Sequence, residues 1–249
     1  MPAGSAPVLA GYRPIEGSLE AYKREQSHLA RRRLYPLTVF STIYSLIVAI
    51  VLLRGKHPLV GIMFYLGGIP VWTLGKYLVH RYLFHRHIPP GQGLIRRLLH
   101  ERLDPLHREH HESPFDGWHI GGELEDILPL FFVAVPFSFL FPVATLPALL
   151  AGVIQSCVGG EWARYFLHFG KFCNRLLRHV KRYHLCHHSV RGMEKGYRIA
   201  SGICDYVFHM QYPKQVRRSL SNSGGHAVRV KKMTRSEALK LFRERFKQQ

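Results

Sequence analysis

The longest uncharged run of the chain limits what it can fold into. Residues 36–53, PLTVFSTIYSLIVAIVLL, contain no charged side chain over eighteen positions, which is the length that a helix needs to cross a bilayer. A second run, PLVGIMFYLGGIPVWTLGKYLV at residues 58–79, contains only Lys76, near its end, where a long side chain can snorkel to the lipid headgroups. The two runs predict a membrane-spanning helical hairpin.

A third apolar block covers residues 127–156 and contains four prolines, at positions 129, 136, 142 and 147. The block is too long and too often interrupted for one span, so it predicts two spans with a turn around Phe141 to Pro147. The last span is expected to continue past Gly159 and Gly160 into EWARYFLHF. The sequence therefore predicts an all-α integral membrane protein with four transmembrane helices.

The distribution of basic residues agrees with four spans. The chain has 35 Lys and Arg against 16 Asp and Glu, for a formal net charge of +19. Only Arg54 and Lys56 fall in the loops that four spans would place on the far side of the membrane. The positive-inside rule explains this asymmetry, and it removes the need for nucleic acid as a partner.

Three parts of the chain differ in composition. Residues 1–34 are a basic N-terminal leader, residues 35–212 hold the apolar runs, and residues 213–249 read as a linker and a basic amphipathic C-terminal helix. This last helix, TRSEALKLFRERF at residues 234–246, is expected to lie on the membrane surface or to be a solvated basic end. The four cysteines contain no CxxC pair, which favours a reducing compartment.

Nine of the 17 histidines form a pattern on the predicted cytosolic side. They are His80, His85, His107, His110, His111, His168, His184, His187 and His188. Helix positions i, i+3 and i+4 share a face, so each HxxHH triplet is predicted to aim three imidazoles at one point. Neutral imidazole binds iron, zinc and copper, and nine ligands are too many for one ion. We expect a cytosolic helical cap that holds two metal ions with four or five ligands each.

Several segments, in order, resemble the fatty acid hydroxylase and sterol desaturase superfamily, and most closely the fatty acid 2-hydroxylases. They are HRYLFH, HREHHESPFDG, RYFLHF, KRYHLCHH and SGICDYVF, and the resemblance runs from about Trp72 to Tyr212. It implies that the nine histidines are the ligands of two iron ions, with zinc as an alternative occupant. It also implies O2 as co-substrate and a small redox carrier, such as a cytochrome b5 or a ferredoxin, as electron donor.

The activity implied by the resemblance is hydroxylation of a fatty acyl chain of sphingolipid type near its carboxyl end. The active site would lie on the cytoplasmic face, of the endoplasmic reticulum in a eukaryote or of the inner membrane in a bacterium. A lipid desaturase or a sterol oxidase of the same superfamily is the alternative. The small residues Gly67, Gly68, Gly159 and Gly160 either leave room for the acyl chain or pack two spans together.

Four further residues beside the histidines complete the expected site. Asp116 and Asp205 match acidic positions of the family that would orient imidazoles through hydrogen bonds, although a turn or a structural role is an equal alternative for both. Arg164 stands where the family has a histidine, and a guanidinium cannot ligate a metal. Either Glu161 or a water completes that shell, or one metal binds weakly.

The same departure leaves open a non-catalytic relative. The family segment GFGVTSxxWD reads GYRIASGICD here, with Arg198, Ala200 and Cys204 in place of glycine, threonine and tryptophan. These positions are not ligands, so they bear on activity rather than on metal binding.

Overall fold

A computed structural model of the protein describes residues 19–85, 91–98, 100, 110–120, 122–189, 195–197 and 202–222. The chain divides into two compact units, Met1–Gln211 and Tyr212–Gln249, which are described separately. Over the described ranges the structure contains helices and no strand, which confirms the all-α prediction. The predicted C-terminal helix at 234–246 lies outside these ranges, and the three-part division of the chain stays a prediction.

The helices of the first unit are α1 (Leu19–Arg54), α2 (Pro58–Val79), α3 (Leu94–Leu98), α4 (Gly117–Ile120), α5 (Gly122–Ser138), α6 (Leu146–Phe169), α7 (Arg175–His187) and α8 (Ile203–Val207). A π-helical turn, His80–Phe84, continues α2 without a break. The second unit contains α9 (Lys214–Asn222).

Two helical stretches in the described part of the chain, Glu20–Arg54 and Pro58–Phe84, are long and apolar enough to cross a membrane. Many of their apolar side chains face outward; Leu46 is 56% exposed and Met63 is 72% exposed. Such surface is costly in water, so the two helices indicate association with a membrane. They coincide with the first two predicted spans.

The third apolar block forms α5 and α6, joined by the turn at residues 139–145, close to the predicted turn. α6 runs through Gly159 and Gly160 to Phe169 as one helix, as expected. α5 has 17 residues and contains Pro129 and Pro136. That these two helices also cross the membrane stays a prediction.

Helix α1 begins 17 residues before Pro36, where the first apolar run starts. Its N-terminal turns lie against the segment that leads into α4: Gly117 N–H donates to Gln26 Oε1 at 3.0 Å, and the Arg33 guanidinium lies 3.8 Å from the centre of the Trp118 ring. Helix α1 therefore continues N-terminal to the apolar run. The predicted boundary between residues 34 and 35 therefore falls inside one continuous helix.

Polar bonds between helices hold α1 against α6 inside an otherwise apolar core. Trp162 Nε1–H donates to Thr38 Oγ1 at 2.9 Å, and the Tyr44 hydroxyl donates to the Pro147 carbonyl at 3.1 Å. In apolar surroundings such bonds fix which helix faces meet. They set the rotation of α6 about its axis, and with it the direction of the side chains near its C-terminal end.

Helices α2 and α6 pack backbone to backbone at two glycines. A Cβ atom on Gly68 would overlap the backbone around Leu149 and Gly152, and one on Gly152 would overlap the Tyr65 carbonyl. At this level Gly68 therefore serves helix packing and leaves no room for an acyl chain.

Candidate metal centre

The first pair of histidines is brought together by the π-helical turn that follows α2. In a regular α-helix, residues five apart point about 140° away from each other. In a π-helical turn the hydrogen bonds join residues i and i+5, so side chains five residues apart point in similar directions. As a result, His80 Nε2 and His85 Nε2 lie 3.2 Å apart.

Two further histidines complete a group of four, which we call the first group. Its ligand nitrogens all lie within 4.8 Å of one another, and its members are His80, His85, His111 and His187. His187 reaches the group from the C-terminal end of α7, with Nε2 at 3.1 Å from His85 Nε2. Three separate stretches of chain therefore converge on one point.

Backbone carbonyls orient two of these rings. His80 Nδ1 lies 2.8 Å from the Tyr197 carbonyl oxygen, and His187 Nδ1 lies 2.9 Å from the Lys195 carbonyl oxygen. A carbonyl oxygen can only accept, so both rings carry a proton on Nδ1. The unprotonated Nε2 of each ring then points into the group, as a metal ligand requires.

The second group lies beside the first. His110, His168 and His188 have ligand nitrogens within 4.8 Å of one another. His184 adjoins them, with Nε2 at 2.9 Å from His168 Nε2 and 3.2 Å from His188 Nε2. The ring centres of His111 and His188, one from each group, are only 4.5 Å apart.

The prediction that each HxxHH triplet aims at a single point is wrong. His187 belongs to the first group, whereas His188 belongs to the second and His184 adjoins it. His110 and His111 are divided in the same way. Consecutive side chains on a helix point about 100° apart. A helix end that lies between the two groups can therefore contribute one histidine to each group.

Burial keeps these imidazoles neutral. It is the main cause that lowers the pKa of His85 to about 3, followed by the charge of His187. Burial likewise holds the pKa of His110, His111, His184 and His188 well below the usual value of 6.5. Neutral imidazoles at pH 7 are available as ligands, whereas imidazolium rings would repel each other and a metal ion.

The nitrogen separations fit a metal ion. A nitrogen ligand lies about 2.1 Å from zinc or a similar ion, so two such ligands are about 3.0 Å apart at a right angle and about 3.4 Å apart at the tetrahedral angle. The Nε2 separations of 2.9 to 3.2 Å among these histidines are near this range. Seven of the nine predicted ligands thus lie in two adjoining groups and His184 adjoins the second, whereas His107 lies outside the described residues.

The two aspartates beside the histidines differ in their contacts. Asp116 Oδ1 accepts from the Trp118 backbone N–H at 2.9 Å, which is the helix-cap arrangement at the start of α4. Asp205 is fully buried, and its Oδ2 accepts from the Tyr183 hydroxyl at 3.4 Å. Tyr183 directly precedes His184 in α7, so Asp205 supports the helix that contains His184 and His187 and ends directly before His188.

Glu161 faces two cations. Its Oε1 lies 3.4 Å from Arg164 Nη2 and 3.5 Å from Lys76 Nζ; the side chains of Glu161 and Arg164 are buried, and that of Lys76 is 10% exposed. The prediction that Lys76 snorkels to the headgroups is therefore wrong, because a carboxylate on the facing helix neutralises it inside the protein. Arg164 lies one turn before His168 on α6 and pairs with Glu161.

Sequence reasoning missed three contributors to the site. The carbonyls of Lys195 and Tyr197 orient rings, but any residue type can supply a carbonyl, so no sequence signal marks them. Lys181 Nζ donates to the carbonyls of Gly170 and His168 at 2.7 and 3.2 Å. In the sequence, Lys181 lies among other basic residues, and nothing distinguishes it from them.

A helical fold with two adjoining histidine groups at helix ends defines a histidine-rich metalloprotein domain. The family model described as fatty acid hydroxylase matches residues 64–210, more than half of the chain, and the chain belongs to this family. That range includes all seven grouped histidines and His184.

Comparisons with individual proteins agree with this family assignment. The chain is 31% identical over 150 residues to a rat fatty acid 2-hydroxylase, covering 59% of this chain and 39% of the relative. It is 33% identical over 148 residues to dihydroceramide fatty acyl 2-hydroxylase FAH2 of Arabidopsis thaliana, covering 57% of each chain. The chain thus spans about half the length of these relatives.

A solved structure described as full-length scs7p, with only the hydroxylase domain visible, is similar to the fold. The TM-score is 0.59 at 26% sequence identity, and the match covers 72% of this chain and 67% of that one.

Proposed function

We propose that the protein is a membrane-embedded oxygenase that hydroxylates a fatty acyl chain of sphingolipid type next to its carboxyl carbon. The observation that carries this proposal is the convergence of eight imidazoles, six of them buried, at two adjoining histidine groups. The names of the relatives, fatty acid 2-hydroxylase and dihydroceramide fatty acyl 2-hydroxylase, support the substrate class and the carbon attacked.

The proposed reaction inserts one atom of O2 into a C–H bond and releases the other as water, using two electrons and two protons. No side chain can break an unactivated C–H bond, and two iron ions bound by the histidine groups would supply the oxygen and electron chemistry. The chain contributes orientation: the carbonyls of Tyr197 and Lys195 hold His80 and His187 with Nε2 facing inward.

The chain also excludes water from the histidine groups. His80, His168 and His187 are at most 5% exposed, so the groups they belong to are shielded from water. A shielded site limits the escape of reactive oxygen species and strengthens electrostatic interactions. The electrons are proposed to come from a separate small redox protein, such as a cytochrome b5 or a ferredoxin.

The proposed setting is a membrane with the histidine groups on its cytoplasmic face. The two long apolar helices support embedding, and the excess of basic residues near the histidines supports that orientation. Four spans, with α5 and α6 as the last two, belong to this proposal.

One observation favours a second candidate, a metal-binding relative without turnover. Arg164 is a permanent cation beside the second group, where the family resemblance places a histidine. Desaturation and sterol oxidation remain alternative outcomes of the same centre.

Expression in a host that makes no 2-hydroxylated lipids tests the proposal. We expect 2-hydroxy fatty acids in the hydrolysed lipids, measured by mass spectrometry, and about two metal ions per purified chain. H187A and H188A should each reduce the product at least about 100-fold, because each removes a ligand of one group. H57A, which changes an exposed histidine in the α1–α2 loop, is the matched control.

Other outcomes separate the alternatives. A new double bond or an oxidised sterol would identify a different reaction of the same centre. Bound metal without any oxidised lipid would support the non-catalytic relative. Less than about one metal ion per chain together with no product would refute a metal-dependent oxygenase.

A further inference from the structure

The aromatic ring of Tyr197 lies against three of the four histidines in the first group. Its centre is 5.0 Å from the ring centre of His85, 5.4 Å from that of His187 and 5.8 Å from that of His80. The ring planes meet at 77°, 67° and 90°, which is the edge-to-face arrangement that aromatic pairs favour at such distances. One side chain therefore contacts rings from both the π-helical turn after α2 and the end of α7.

The Tyr197 ring is itself held from the side of α2 and α8. It is buried, and the Tyr77 ring, in the last turn of α2, meets it edge to face at 6.3 Å. Tyr77 in turn stacks on Phe208, which directly follows α8, with ring centres 5.2 Å apart and planes at 13°. The backbone beside the ring is also fastened, because the Gly196 N–H donates to the Met210 carbonyl at 2.9 Å. The ring therefore has supports other than the histidines that it contacts.

The ring and the carbonyl of Tyr197 restrict the histidines in different ways. The carbonyl accepts a hydrogen bond from His80 Nδ1 at 2.8 Å, which fixes the direction of one atom in one imidazole. The last torsion angle of a histidine side chain has broad minima, so a single hydrogen bond does not define the plane of the ring. A neighbouring ring in close contact does restrict that plane, because turning the imidazole would produce overlap or lose the contact. The Tyr197 ring has this effect on three imidazoles at once.

We propose that the aromatic ring of Tyr197 is a positioning group, which keeps the ligand nitrogens of the first group converged before a metal ion binds. The Nε2 atoms of His80 and His187 lie 3.2 and 3.1 Å from His85 Nε2. Rings that already stand in this arrangement lose less conformational freedom on binding an ion, which raises the affinity. Tyr197 acts through the histidines and is not a ligand. The proposal rests on the proposed function only in taking a metal ion as the ligand of this group.

A metal titration of the purified full-length chain tests this role without any measurement of turnover. The protein is stripped with a chelator in detergent and titrated with Co2+ against a chromophoric competitor, while the cobalt absorption bands report the arrangement of the ligands. Y197L keeps the backbone carbonyl and an apolar side chain but removes the ring. It should weaken the binding of one equivalent of Co2+ about tenfold or more, as the loss of an orienting contact commonly does, and it should alter the absorption bands.

Further variants separate the ring from the hydroxyl and locate its effect. Y197F keeps the ring and should bind Co2+ with the affinity and the bands of the wild type. Y206L, at a tyrosine of α8 that is 71% exposed, is the matched control. H187A removes one histidine that the Tyr197 ring contacts. Adding Y197L to H187A should weaken Co2+ binding less than Y197L does alone, because substitutions within one network of contacts are not additive.

Wild-type affinity and bands in Y197L would overturn the positioning role and leave the proposed metal centre intact. Equal weakening in Y197F and Y197L would also overturn it, because the hydroxyl and not the ring would then be responsible. Y197M fills more of the space of the ring and replaces Y197L in the titration if Y197L does not elute from size exclusion like the wild type. Failure of the wild-type protein to bind Co2+ would overturn the proposed function together with the inference.

Discussion

Lys181 is the residue that joins the end of α6 to the face of α7. Its ammonium donates to the carbonyl oxygens of Gly170 and His168 at 2.7 and 3.2 Å. The last carbonyls of a helix have no partner within the helix, and a cation there also interacts favourably with the helix dipole. Burial, and then the charge of Lys23, lowers the pKa of Lys181 to about 8, which leaves most of it protonated at pH 7.

Replacing Lys181 by Met should destabilise the protein by about 1 to 3 kcal/mol, because two carbonyls lose a charged donor. The midpoint of thermal unfolding in detergent measures the effect. The matched control is K171M, which changes an exposed lysine in the α6–α7 linker. If K181M and K171M unfold at the same temperature as the wild type, Lys181 does not join the two helices as inferred.

At the scale of the element, the histidine spacing predicted that these rings come together but not how they divide into two groups. The HxxHH pattern identifies rings on neighbouring helix positions, and nine histidines predict two ions. Which ring joins which group depends on where the end of α7 lies relative to His85 and His168, and that is set by packing. The π-helical turn at His80–Phe84 is a further example, because no residue in HRYLF favours it over an α-helix.

Helix α7 begins at a side-chain cap that holds its first turn. Asn174 Oδ1 accepts from the backbone N–H groups of Leu176 and Leu177 at 2.7 and 3.4 Å. Three of the grouped histidines are at the other end of this helix or directly after it. The cap therefore stabilises the helix whose other end carries these histidines.

N174A should destabilise the protein by about 1 kcal/mol, the usual effect of losing an N-cap acceptor. N174D keeps an acceptor oxygen at the same place and should behave like the wild type. Chemical unfolding of the metal-free protein measures both variants. Equal stability of N174A and N174D would show that the cap contributes nothing to α7.

For the whole molecule, hydropathy predicted where the first two apolar helices lie but not where α1 begins. The N-terminal turns of α1 are polar, and they are held by contacts with Gly117 and Trp118. Those contacts join residues about ninety positions apart in sequence, which local patterns do not encode. In the fold, the same contacts support the segment that follows His110 and His111.

The membrane arrangement can be measured with cysteine labelling, since Cys173 is exposed and lies five residues after His168 in the sequence. With the other three cysteines replaced, Cys173 should react with a membrane-impermeant maleimide only from the cytoplasmic side of sealed vesicles. In a cysteine-free background, K56C lies in the exposed α1–α2 loop and should react only from the opposite side. Four spans place alternate loops on opposite sides, as the distribution of Lys and Arg indicates.

A third position decides whether α5 and α6 cross the membrane. Leu140 lies in the turn between them and is 76% exposed. If both helices span the bilayer, L140C should react from the same side as K56C, because the two loops then lie on one face. Reaction of L140C from the side of Cys173 would limit the protein to two spans. In that case the histidine groups would still lie on the cytoplasmic side, since α2 alone separates Lys56 from His80.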